Sequence, residues 1–183
     1  MCGEVYREWL RLRYHYLALT PEVLSLLRKL RQHYLLCLIT NGPSRAQWEK
    51  VEFLHLRSYF DYILVSGDLP WEKPNPNIFL EACNYLGVQP KKCLMVGDKL
   101  ETDILGGIKA HIGVTVWLSL SSDIKDAPQP QPDFIINNIM DLCHLLPSKP
   151  KHALVRSRLP FHRPIPSSLP DLEDYSSNGS DGS

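Results

Sequence analysis

A chain of 183 residues is long enough for one domain with a sizeable core. Its 20 Lys and Arg balance 20 Asp and Glu, so no summed field draws the protein onto nucleic acid or an anionic membrane surface. The five Cys form no Cys-x-x-Cys, and Cys37, Cys83 and Cys93 sit inside apolar runs, as thiols of a reducing compartment would.

The chain opens MCGEVYREWL, charged rather than signal-like, and no apolar run nears the roughly 20 residues that span a bilayer, so a cytoplasmic location is expected. Val5, Trp9, Leu12, Tyr16 and Leu19 recur every three or four residues and predict an amphipathic helix in need of a partner. Thr20-Pro21-Glu22 reads as N-cap, first-turn proline and dipole-matching acid of a second helix carrying Val23, Leu26, Leu27 and Leu30. Residues 34–39, YLLCLI, form the continuous apolar run of a strand buried on both faces, and the run stops at Thr40-Asn41-Gly42. A helix over 45–54, a strand in FDYILVSGD and a helix over 77–86 ending at Gly87 follow. Next come a strand at 93–96, a helix at 102–110, strands at 113–118 and 133–136, and a helix at 138–146. This alternation predicts an α/β fold with a mainly parallel sheet. Residues 147–183, rich in Pro and Ser without a period, read as a disordered tail.

In open parallel sheets the site lies beyond the carboxyl ends of the strands, so the polar residues there are the candidates. Thr40-Asn41-Gly42 offers a hydroxyl, an amide and backbone N–H groups beside a helix start, which suits a phosphoryl oxygen; an N-cap followed by a turn explains it almost as well. Lys73 precedes Pro74, which restricts it to extended geometry and directs its side chain, although loop lysines are usually solvated. Asp98 and Asp103 flank a strand-to-helix turn. A strand-end carboxylate is a hard ligand for Mg²⁺, which takes one or two of them with water and substrate phosphate, and Asp103 falls where a first-turn acid could cap. The seven His lack zinc spacing and no Gly-x-Ser-x-Gly occurs. Trp9, Trp48, Trp71 and Trp117 read as packing residues rather than a base-stacking platform.

Strand-Thr-Asn-Gly, then Lys-Pro before a helix, then strand-Gly-Asp-x-x-x-x-Asp, in that order over residues 20–146, resembles the haloacid dehalogenase (HAD) superfamily of phosphatases. The resemblance implies a HAD-like Rossmannoid sheet with flanking helices, Mg²⁺ as cofactor, and a small-molecule sugar phosphate as substrate, with no nucleic-acid or membrane partner. It implies that Thr40 and Asn41 bind the phosphoryl group. Lys73 would neutralise charge there as a catalytic and phosphate-binding residue, Asp98 would ligate the metal, and Asp103 would support it. The superfamily also carries an Asp-x-Asp at the end of its first, central strand, whose first Asp attacks phosphorus and whose second acts as acid and base. No Asp-x-Asp occurs here, and the acidic residues before Thr40 are Glu4, Glu8 and Glu22, all in helix-like text.

The expectation is therefore a truncated form. Residues 1–19 would be a remnant of a helical cap, and residues 20–146 a core lacking its first strand, with turnover impaired. Two strand edges would lie open to a protein partner. A non-catalytic phosphate-binding or partner-binding protein, or a phosphatase for another sugar phosphate, are the competing expectations. His111 stands where the superfamily usually has Gly at a helix end, a position that favours left-handed backbone.

Overall fold

A computed structural model describes residues 2–120 and 127–146 of the chain; the expected tail lies outside them. Helix α1 (Cys2–Leu17) forms where the three- and four-residue spacing predicts it. Its apolar stripe is left without cover among the described residues, and Tyr14, off that stripe, is buried instead. Val5, Trp9, Leu12 and Tyr16 are 68%, 51%, 40% and 81% exposed, whereas Tyr14 is 3% exposed. Tyr14 stacks on Phe53 with ring centroids 3.9 Å apart and donates to Glu49 Oε1, an aromatic contact with a polar handle that helps dock the helix.

Helix α2 (Pro21–His33) begins as expected: Thr20 is extended, its Oγ1 accepts from the Val23 N–H at 3.5 Å, and Leu26 faces the core. Strand β1 (Cys37–Thr40) starts three residues later than the apolar run suggests. Tyr34 closes α2, and the buried Asp61 carboxylate takes the Leu36 N–H at 2.9 Å before the ladder begins. Then follow α3 (Ser44–Phe53), β2 (Tyr62–Val65), α4 (Pro76–Leu86), β3 (Leu94–Gly97), α5 (Leu105–Lys109), β4 (Val114–Leu118), β5 (Phe134–Ile136) and α6 (Leu142–Leu145). Gly87, at φ 65°, caps α4 in the left-handed conformation. The expected helix over 102–110 opens as a π-turn at Leu100–Ile104, because the N–H groups of Asp103 and Ile104 both bond to Lys99 O, at 2.9 and 3.3 Å. The last helix is shorter than expected, a 3₁₀ turn capped by Asn138 and then α6.

Every strand pair is parallel, which completes the expected α/β class. The strands make two sheets, β1-β2 and β3-β4-β5, with no ladder between β1 and β3 among the described residues. Strands β1 and β3 are half-buried along their whole lengths, whereas β2 is buried throughout. One apolar cluster nevertheless serves both sheets: Ile78, Phe79 and Ala82 of α4 pack with Tyr62 and Leu64 of β2, and Cys37, Ile39 and Met95 lie against them. Burying a side chain of this size contributes about 1.5–3 kcal/mol, so α4 joins the two sheets where backbone pairing does not. A second cluster, Val116, Ile136 and Leu142, sits beyond β4. No helix of the described residues is long and apolar enough to cross a membrane.

Candidate functional site

The site is built from three loops that follow β1, β2 and β3. Asn41, directly after β1, clasps the backbone of Lys73: its Nδ2 donates to Lys73 O and its Oδ1 accepts from the Lys73 N–H, both at 2.9 Å. The amide is thereby committed at both ends, and its work in this arrangement is to pin the Lys73 loop to the end of β1.

So held, the Lys73 side chain turns inward. Its ammonium donates to Ile39 O at 3.0 Å and pairs with Asp103 Oδ1 at 2.7 Å, the two side chains being 12% and 5% exposed. Asp103 Oδ1 has no hydrogen bond of good geometry, so the charge of the ammonium is what holds it. One cation thus spans the break between the sheets, from a carbonyl of β1 to the carboxylate just beyond β3.

Asp103 reaches this point from the π-turn, where its Oδ2 accepts from the Lys99 N–H at 3.2 Å. The turn folds tightly onto the strand end. A Cβ at position 97 would lie 2.3 Å from both Cβ and Oδ2 of Asp103, so glycine is needed where β3 stops. Asp98 differs from Asp103 in every respect. It is exposed, its backbone carbonyl takes the Trp117 Nε1–H at 2.9 Å, and its carboxylate makes no hydrogen bond or ion pair to described residues. No group of three His, Cys, Asp or Glu gathers among those residues. A single uncommitted hard-oxygen ligand fits Mg²⁺, an ion that usually keeps several waters and takes one or two protein carboxylates beside substrate phosphate.

Thr40 ends β1 with its Oγ1 donating to Gln47 Oε1 at 3.0 Å, and Lys50 Nζ donates to the same oxygen at 3.2 Å. Gln47 is 9% exposed and lies on the buried face of α3 with Val51. The sequence reading missed it. The signal was there in the spacing: a polar residue four before Val51, on a core-facing stripe, immediately after a strand end. Ser66, after β2, completes the cluster by accepting the Gly42 N–H at 3.0 Å. Of the residues expected at the site, Asn41, Lys73 and Asp103 are joined by direct contacts, Thr40 precedes Asn41 with its hydroxyl on Gln47, and Asp98 keeps its carboxylate free of described residues.

Against known proteins, residues 4–111 match the family model for haloacid dehalogenase-like hydrolases. The chain is 41% identical over 148 residues to N-acylneuraminate-9-phosphatase of Rattus norvegicus, covering 81% of this chain and 60% of that enzyme. A glyceraldehyde 3-phosphate phosphatase of Methanopyrus kandleri is 39% identical over 105 residues, 57% of this chain and 45% of the relative. Among solved structures, a HAD phosphatase from Thermococcus onnurineus superimposes with a TM-score of 0.68 at 31% identity, covering 79% of this chain and 65% of that one. A HAD-hydrolase of Bacillus subtilis bound to magnesium gives 0.59 at 27% identity, covering 68% and 53%. The chain spans about 60% of the length of the first curated relatives it matches.

Proposed function

The chain belongs to the haloacid dehalogenase-like hydrolases, and from that premise we propose that it carries the phosphate-holding part of a phosphomonoester hydrolase resembling N-acylneuraminate-9-phosphatase, with N-acylneuraminate 9-phosphate as substrate, a step of sialic acid biosynthesis in the cytoplasm. The observation that carries the reading is the position of Lys73, an ammonium 12% exposed at the meeting point of β1 and the turn after β3. Thr40 Oγ1 and Lys73 Nζ are the groups that reach phosphoryl oxygens. Asn41 works through the Lys73 backbone it clasps, Asp103 sets the ammonium's direction, and Gln47 sets the Thr40 hydroxyl. Asp98 is the residue that would hold Mg²⁺, and the bound ion would offset charge on the phosphoryl oxygens.

The covalent route of this superfamily uses the first Asp of an Asp-x-Asp as nucleophile. The 183 residues contain no Asp-x-Asp, and Asp103, the carboxylate paired to Lys73, is buried and spent on that pair. We therefore expect this chain alone to hold phosphate without turning substrate over. The test is hydrolysis of N-acetylneuraminate 9-phosphate with Mg²⁺ by the purified chain, beside an Asp98→Ala control and a measurement of phosphate binding. Binding without release of inorganic phosphate supports the reading; sustained release that Asp98→Ala abolishes would overturn the expected inactivity.

A second reading is favoured by one observation: among the described residues β1 and β3 form no ladder with one another, and of β1 Ile39 O is taken by Lys73 Nζ. Each edge presents N–H and C=O groups to a segment that can add between them, so a binding role with a protein partner supplying a strand is the alternative. Strand addition would show as new protection of amides in β1 and β3 on titration with an extended peptide.

A further inference from the structure

Away from the phosphate-holding cluster, two sulfurs meet. Cys83, in the last turn of α4, and Cys93, the residue before β3, bring their Sγ atoms to 3.8 Å across the Gly87 turn. Both are held by ordered elements. Cys83 is 4% exposed on the helix whose Ile78, Phe79 and Ala82 form the main core. Cys93 is half-buried, its N–H bonded to Pro90 O at 2.9 Å and its Sγ lying 3.4 Å from Gln89 O.

The other described thiols are set differently. Cys37 faces Leu38 O, and its burial pushes the thiol well above the usual range, so it stays protonated. Cys143 is exposed on α6. In the pair, the contact between the sulfurs lowers the Cys83 thiol from its ordinary range and raises that of Cys93, which burial pushes up further. The two sulfurs lie within reach of one another, and the half-buried Cys93 gives a small oxidant its approach to the pair.

We propose that Cys83 and Cys93 are a peroxide-oxidisable dithiol that closes to a disulfide joining α4 to β3. The Cys83 thiolate takes an oxygen from hydrogen peroxide, giving a sulfenic acid and hydroxide. The Cys93 sulfur then attacks that sulfur, the S–O bond breaks, and the Cys93 proton leaves with the hydroxyl as water. Two thiols lose two electrons and the peroxide is reduced to water, with no other reactant. The oxidised form staples the helix that follows the Lys73 loop to the strand that leads into Asp98, without using any residue of the phosphate cluster.

The test uses the full chain in a Cys2→Ser/Cys143→Ser background, treated with hydrogen peroxide. The expected product has a mass lower by two hydrogens, a cross-linked peptide pair containing Cys83 and Cys93, full reversal by dithiothreitol, and a raised Tm from the closed loop. Cys93→Ser, at the half-buried position, should abolish that product and leave an oxygen adduct at Cys83. Peroxide treatment that yields no cross-link, or one joining Cys37 to either residue, would overturn the proposal. Because Cys83→Ser alters the core, alkylation of the wild-type background with iodoacetamide serves as the second probe: loss of both thiols together on oxidation supports the pair, and independent loss refutes it.

Discussion

Asp98 and Asp103, both acidic residues around one turn, have opposite fates. Asp103 is 4% exposed, paired to Lys73, and folded against Gly97 so closely that a methyl group has no room. Gly97→Ala should therefore destabilise the chain by about 1–3 kcal/mol, read by denaturant unfolding. Asp98→Ala removes an exposed side chain without partners among the described residues and should change stability by no more than about 0.5 kcal/mol. Lys73→Met strands a buried carboxylate and should cost about 3–5 kcal/mol; adding Asp103→Asn should recover part of that loss, and a strictly additive double variant would contradict the pairing. At the end of α5, His111 sits at φ 54°, the left-handed conformation that the sequence comparison with Gly anticipated. His111→Gly should stabilise by about 1 kcal/mol in the same assay. At this scale the polar residues at strand ends and in the loop before α4 made Thr40, Asn41, Lys73, Asp98 and Asp103 legible as candidates, and the structure brings Asn41, Lys73 and Asp103 into contact. Gln47 was passed over although its spacing from Val51 marks the core-facing stripe, because a lone amide on a helix face is easily taken for a solvated one.

The elements themselves were readable wherever a local signal set them. Thr20-Pro21 opened α2, Gly87 closed α4, and apolar runs placed the strands within a few residues. Boundaries moved where a distant group intervened: Asp61 delays β1 by holding Leu36, and Lys99 O draws two N–H groups to make the π-turn before α5. Periodicity identified α1 as a helix in need of a partner, but it reports which residues are apolar and not what docks them. Tyr14, off that stripe, makes the docking contact with Phe53 and Glu49. Tyr14→Ala should accordingly release α1 to limited proteolysis, whereas Trp9→Ala, at a residue 51% exposed, should leave the cleavage pattern unchanged.

For the molecule as a whole, the parallel α/β class followed from the alternating pattern, whereas the text left open whether β1 and β3 close on one another; among the described residues they form no ladder. What the text did not reveal is how the two sheets stay together: α4 packs across both, and Lys73 bridges their ends. These are tertiary contacts between residues far apart in the chain, and no local pattern encodes them. The same bridge is the proposed phosphate site, so fold and proposed function meet in one ammonium. The most direct test is a titration of the ¹⁵N-labelled full chain with inorganic phosphate, with and without Mg²⁺. Amide signals of residues 39–42 and 73 should shift saturably, Mg²⁺ should strengthen the binding, and Asp98→Ala should remove that strengthening while leaving Tm unchanged. Absence of saturable shifts at these residues, or a Mg²⁺ effect that survives Asp98→Ala, would contradict the account.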